Sequence, residues 1–272
     1  MKIDENVKSK EGLSAPFQPF GKTIPYIAAV GSLLFIWQIV AWILPEFLMP
    51  DVSQGLKRFI DNFSDPDFLN GLQSSLYRLA WGYPIACLLG AVLGLLGGVS
   101  KTFSVYLKSV VSILQSIPPI TWVPFFVVLI GFGNLPIIFV ITIASFFPMA
   151  LSVLNATEGV NRTHLELARV MGANTRQLIT KVYGPETLPA FVTGAQVAFG
   201  NAWRSLIAAE MVGGASAGLG WSISYAGEIA DMEGVLASIV TIGTIAIILD
   251  HVVLNGIKRK LLKWRYTGGD EK

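Results

Sequence analysis

The sequence predicts an all-α membrane protein of about six transmembrane helices, and three observations carry that prediction. Of the 272 residues, 53% are hydrophobic and only 14% charged, whereas a soluble domain carries roughly a quarter charged residues. The apolar residues gather in stretches of about 20, the length that crosses a hydrocarbon core as a helix. Lysine and arginine gather in alternate connections between those stretches, the asymmetry that sets orientation in a membrane.

The first stretch, 24–44, has Pro25 in its first turn, where a proline fits, and Trp37 and Trp42 in its outer half. The second, 72–99, carries Gly90, Gly94, Gly97 and Gly98, which point to close helix packing rather than to a gate. The third covers 103–130. A Gly131-Phe-Gly-Asn134 turn joins it to the fourth, 135–156. The fifth covers 188–212 and the sixth 235–255. Between the first two, residues 51–70 read as a short external amphipathic segment and loop, with Pro50 before it and Pro66 inside it. A polar tail, 1–23, precedes a single transmembrane domain, 24–265, and 266–272 form a second tail. The stretch 24–44 is too long for a signal-peptide core, so no cleavable signal is expected.

The charges place both termini in the cytoplasm. Lys2, Lys8, Lys10 and Lys22 precede the first stretch, and Lys101 and Lys108 follow the second. Arg162, Arg169, Arg176 and Lys181 follow the fourth, and Lys258, Arg259, Lys260, Lys263, Arg265 and Lys272 follow the sixth. All of these fall on one side. The opposite side holds only Lys57 and Arg58, and the loop after the fifth stretch has Glu228, Asp231 and Glu233 instead.

Composition also excludes functions. Cys87 is the single cysteine, and His164 and His251 are far apart. They offer neither a disulfide framework, nor a metal site, nor the catalytic cluster that a membrane-embedded enzyme needs. Lys101-Thr102 after two glycines is not a phosphate loop, because Ser100 stands at the required glycine position.

The connection 158–186 is the most informative segment. Thr163 and Glu166 have capping-box spacing, which starts a helix near Thr163. Gly172 ends it in a left-handed conformation. Asn174 or Thr175 caps a second short helix, which Gly184-Pro185 stops. The segment is thus expected to be a rigid two-helix knob on the cytoplasmic face.

This connection resembles the "EAA" loop of ABC importer permeases: Glu-Ala-Ala, three residues, Gly, nine residues, Ile-x-Leu-Pro. Glu166, Ala168, Gly172, Val182 and Pro185 match in kind and register, while Leu167 and Gly184 depart from the pattern. The likeness extends over roughly residues 70–265. It includes Ser116-Ile-Pro-Pro-Ile-Thr-Trp-Val-Pro124, Gly131-Phe-Gly133, Ala208-Ala-Glu-Met211, Gly218-Leu-Gly220 and Lys260-Leu-Leu-Lys-Trp-Arg265. These motifs are similar to the nitrate/sulfonate/taurine/bicarbonate-type branch. The resemblance implies the type I importer permease fold in the bacterial inner membrane. It also implies a second permease copy, an extracytoplasmic substrate-binding protein, and ABC ATPase subunits that bind ATP and magnesium. The chain itself would be no enzyme, would hold no cofactor, and would meet lipid but no nucleic acid. Glu166, Ala168, Arg169, Gly172, Ala173 and Pro185 are the implied ATPase-coupling residues. For Glu166 a capping role is compatible with coupling.

The translocation pathway is sought among polar or helix-breaking residues inside the stretches. Pro118 and Pro119 lie near the middle of the third, where a broken helix tends to mark a pathway unless it is a mere kink. Arg204 and Glu210 lie in the fifth, and intramembrane charges face the bundle interior or a cavity. Arg204 is either a fixed positive charge for an anionic substrate or the partner of Glu210 in a structural ion pair. Trp203 and Gln115 are further candidates. Arg78 is expected to snorkel to the interface, and Asp250 to pair with a nearby base. A stand-alone secondary transporter is the alternative class, but it gives no reason for a knob in EAA register. A thiamin-precursor pyrimidine or an aromatic acid is the alternative cargo.

Overall fold

The computed structural model describes residues 20–254 and 256, and the side chains within 25–251 other than that of Gly214. The basic residues expected in both tails therefore lie outside the described residues, Lys22 excepted as backbone. Every regular element among the described residues is helical. The chain divides into two compact units, Met1–Val52 and Ser53–Lys272.

In the first unit, α1 (Phe20–Ile43) is continuous through Pro25. The segment after it is tied back to α1. Trp37 Nε1 donates to the Pro50 carbonyl at 2.9 Å, and Gln38 Nε2 donates to Asp51 Oδ1 at 2.8 Å.

In the second unit, α2 (Val52–Asn62) leads to α3 (Pro66–Val99), which starts before the expected residue 72. Asp65 caps α3 by accepting from the Asp67 amide, and Pro66 occupies the first turn, where its missing N–H is no loss. Capping chemistry, not hydropathy, thus sets this boundary. α4 (Lys101–Gln115) is separated by Ser116, Ile117 and Pro118 from a 3₁₀ turn (Pro119–Thr121) that runs into α5 (Trp122–Ile130). The two arms bend by 75°, so the expected third span is a broken helix pair. α6 (Asn134–Glu158) follows, then α7 (Arg162–Val170) and α8 (Thr175–Leu178). α9 is Gly184–Ala209, α10 Leu219–Glu228 and α11 Met232–Ile248.

α1 from Pro25, α3, α6 and α11 with its π-helical extension to His251 are long and apolar enough to span a membrane, and the bent pair adds a fifth candidate. α9, with 26 residues, is long enough but too polar to count with them by hydropathy.

The core is built on α3, α6 and α9. Small residues let α3 and α6 approach closely, as membrane helices need when lipid supplies no hydrophobic drive. A Cβ at Gly94 would come within 2.6 Å of the Ala150 carbonyl oxygen, and one at Gly90 within 2.9 Å of Met149 Cβ. Ile137, Ile141, Met149 and Leu154 of α6 and Leu206 of α9 are fully buried. Ser152 Oγ donates to the Ala190 carbonyl, and Tyr83 OH donates to that of Ala195, both at 2.9 Å.

Candidate functional site: a surface knob and an intramembrane cleft

The knob forms between α6 and α9, but its start and exit differ from expectation. Asn161, extended at φ −62° and ψ 121°, caps α7, and its Oδ1 accepts from the Thr163 amide at 2.9 Å. Thr163 is already helical, so it cannot be the cap. Glu166 is accordingly not the second half of a capping box, and it stands exposed. The end of α7 is as expected. Gly172 is left-handed at φ +83°, its amide donates to the Arg169 carbonyl, and the Ala173 amide donates to that of Ala168, each at 2.9 Å. This pair of bonds is a Schellman closure.

Asn174 caps α8 through a true capping box. Its Oδ1 accepts from the Gln177 amide at 2.9 Å, and Gln177 Oε1 accepts from the Asn174 amide at 2.8 Å. Gly184-Pro185 does not stop the second helix. A π-helical turn, Ile179–Tyr183, carries the chain straight into α9, and the Gly184 amide bonds to the Ile179 carbonyl. Pro185 then sits at the first turn of α9. There the widened turn removes the clash that a proline makes with the carbonyl four residues back.

One brace was missed from sequence. Glu186 Oε1 meets His164 Nδ1 at 2.6 Å, and Glu186 Oε2 accepts from the Asn161 amide at 3.4 Å. This ties the start of α7 to the first turn of α9 across 22 residues of chain. Arg169 and Ala173 border a crevice with Val99, Leu178 and Tyr183. At the tip Leu167 is 59%, Val170 86% and Met171 79% exposed.

Inside the bundle the ionisable residues separate into two sites. Arg78 does not snorkel; it is buried, and its Nη1 lies 2.5 Å from Oε1 of the fully buried Glu210. Glu210 also accepts from Ser75 Oγ and from the Gly220 amide at 2.9 Å, and Arg78 Nε donates to Asn134 Oδ1 at 2.8 Å. Arg78 Nη1 also donates to the Ala217 carbonyl at 2.8 Å. Gly218, at φ +151°, passes so close to the Glu210 carboxylate that a side chain there would collide with it. Of the two roles open to Arg204, the ion pair with Glu210 is not formed, because Glu210 pairs with Arg78. Asp250 lies 3.8 Å from His251 Nδ1.

Arg204 lies in a separate cleft of about 330 Å³, lined by Gln115, Ile117, Pro119, Ala144, Phe147, Pro148, Asn201, Arg204 and Ser205. Arg204 Nη2 donates to Asn201 Oδ1 at 2.8 Å. Of the other residues sought for a pathway, Pro118 makes the break beside the cleft. Trp203 is buried in the core instead, because it precedes Arg204 by one residue and so points about 100° away around α9. Glu210 is likewise held in the buried pair and not in the cleft.

Residues 86–262 match the model of the family described as binding-protein-dependent transport system inner membrane component. A putative ABC transporter permease of Methanocaldococcus jannaschii is 31% identical over 89% of this chain and 91% of its own length. The putative aliphatic sulfonates transport permease SsuC of Bacillus subtilis is 30% identical over 86% of this chain and 84% of its own. The taurine transport system permease TauC of Escherichia coli is 30% identical over 88% of each chain. A solved structure of the MetNI methionine ABC transporter, in an inward-facing conformation, shares the fold. It has a TM-score of 0.57 and 24% identity, and covers 71% of this chain and 95% of that one. The chain is therefore a multi-pass transport permease rather than an enzyme, and it belongs to the binding-protein-dependent ABC importer permeases of the inner membrane.

Proposed function

We propose that this chain is the translocation subunit of an ATP-driven importer of small anions, coupled to a separate ATPase through residues 158–186. Two copies of the chain surround the pathway. Two ATPase subunits, which carry ATP and magnesium, sit on the cytoplasmic side, and a substrate-binding protein docks on the other. The observation that carries the coupling is the shape of the knob. A helix closed at both ends and braced by Glu186 presents Val170 and Met171 largely exposed and Leu167 more than half exposed. Exposed apolar side chains on a rigid mount, rimmed by Glu166 and Arg169, suit a hydrophobic socket on a soluble partner. ATP-driven closure of the ATPase pair then moves the knob, and the brace with the continuous α8–α9 run passes the motion to the membrane helices.

The anionic cargo rests on the relatives, whose named substrates are aliphatic sulfonates, taurine and, in NrtB of Synechococcus elongatus, nitrate. The test uses the complex with its ATPase and binding protein in proteoliposomes. Val170→Asp should lower both ATPase co-purification and ATP-driven uptake by ~30-fold, the scale of a lost interface anchor of about 2 kcal/mol. The fold should survive, since an exposed site away from other contacts shifts stability by roughly 0.5 kcal/mol or less. Uptake and stimulated hydrolysis persisting after deletion of 162–173 would sink the proposal.

A further inference from the structure

The exposed side of α9 carries polar groups and a charge. Thr193, Val197, Asn201 and Arg204 recur at helical spacing; Thr193, Val197 and Arg204 are exposed and Asn201 is half-buried. Arg204 lies 21 residues into a 26-residue helix that a π-helical turn prolongs to Gly214. A guanidinium at that depth is costly in lipid, so it must face water or a polar surface. Among the described residues Arg204 has no ion-pair partner, and the acid on its own span, Glu210, is taken by Arg78.

The surroundings of this charge are specific. Asn201 holds one guanidinium nitrogen at 2.8 Å. Gln115 arrives from the last residue of α4, because the chain breaks there, and Ser205 adds a hydroxyl. Ala144, Phe147 and Pro148 of α6 supply an apolar wall, and no acidic residue lines the cleft.

We propose that this cleft is the oxyanion site of the translocation route, taking a small monovalent anion such as a sulfonate, carboxylate or nitrate. The inference rests on the reading of the chain as an anion importer and names where the anion is held. The Arg204 guanidinium balances one negative charge, which favours a monoanion over a dianion. Gln115 and Ser205 offer neutral hydrogen bonds, and the α6 wall meets a short apolar remainder. At about 330 Å³ the space suits a compact solute, at the low end of the roughly 300–1,000 Å³ of small-molecule pockets. A neutral or cationic solute gains nothing from this arrangement.

The test reads the site without requiring transport. Ser205→Cys is made in the full chain, where the native Cys87 is buried, and is labelled in membranes with an anionic and a cationic methanethiosulfonate reagent. The anionic reagent should react faster, and adding Arg204→Gln should lower the anionic-to-cationic rate ratio at least ~10-fold. Charges a few ångströms apart at the protein surface interact strongly enough for that. In the assembled complex, Arg204→Gln should reduce ATP-driven uptake of nitrate or taurine at least ~10-fold while ATP hydrolysis continues, and Arg204→Lys should retain part of it. A ratio insensitive to Arg204, or an introduced thiol inert to both reagents, overturns the site even if the parent complex imports anions. Uptake confined to uncharged or cationic solutes of a panel overturns it as well. Failure of the parent complex to drive any uptake with ATP overturns the importer reading instead, whatever the labelling shows.

Discussion

Arg78→Met should destabilise the protein far more than the loss of a surface cation. Arg78 and Glu210 are both within 4% of complete side-chain burial, and their closest approach is 2.5 Å. Removing the guanidinium leaves a carboxylate in the core with only Ser75 Oγ and the Gly220 amide as donors. Stranding one member of a buried pair costs about 3–5 kcal/mol. At roughly 2–4 °C per kcal/mol for a chain of this size, the unfolding midpoint should fall on the order of 10 °C. Arg58→Met is the internal control. Arg58 faces Asp231 at 3.6 Å with side chains 48% and 32% exposed, and such pairs contribute about 0–1 kcal/mol.

The assay is thermal unfolding of the purified chain in detergent, followed by the reactivity of buried Cys87 toward a thiol-reactive dye. Arg78→Met with Glu210→Leu should recover part of the loss, because the stranded charge is gone and only neutral groups remain unpaired. Recovery stays partial, since Asn134, Ser75 and the Ala217 carbonyl each lose a partner. If Arg78→Met unfolds within ~2 °C of the parent, or if the two substitutions add without coupling, the pair does not hold the fold and the reasoning fails.

Three glycine substitutions separate local from tertiary effects. Gly94→Ala should gain about 1 kcal/mol of helix propensity yet lose stability overall, because its Cβ would meet the Ala150 carbonyl at 2.6 Å and overpacking costs about 1–3 kcal/mol. Gly243→Ala on α11, with no neighbour within 4 Å, should show the gain alone; equal melting shifts for the two would refute the close-packing account. Gly172→Val meets no neighbour either, but φ +83° penalises a β-branched residue by about 1–2 kcal/mol or more. Its expected signature is intact folding of the membrane helices with weakened ATPase co-purification, and unchanged ATPase affinity would show that the knob does not need its Schellman closure.

The membrane class was legible because composition and apolar run length are properties of single segments. So was the left-handed Gly172, and the cap of α8 was narrowed to Asn174 or Thr175, each set by a few neighbouring residues. Errors arose where two local rules competed. Thr163 and Glu166 satisfy capping-box spacing, but Asn161 stands just upstream in the extended conformation that a cap requires, and it starts the helix first. Gly184-Pro185 is a stop signal in a regular α-helix, and the π-helical turn before it removes the reason to stop. The braces were illegible for a different reason. His164 finds Glu186 across 22 residues, and Arg78 finds Glu210 across 132. No periodicity or spacing connects such pairs before the fold does.

Arg78 and Arg204 show why residue type within a span is insufficient to assign a role. Both are arginines in long buried-core helices, and the sequence sends the outer one to the interface and leaves two roles open for the inner one. The deciding quantity is the counter-charge. Arg78 is given a buried carboxylate, an amide oxygen and a backbone carbonyl, so its hydrogen-bonding capacity is largely consumed within the protein. Arg204 is given one neutral partner, Asn201, and faces the cleft. A charge neutralised by its own fold has little left to offer a passing ion and can only stabilise. A charge left unneutralised among polar side chains beside a broken helix can hold an anion loosely enough to release it, which is the role proposed for Arg204. The same glutamate sets both environments: it pairs with Arg78 beside Gly218, and it leaves Arg204 without that carboxylate, as the proposed oxyanion site needs.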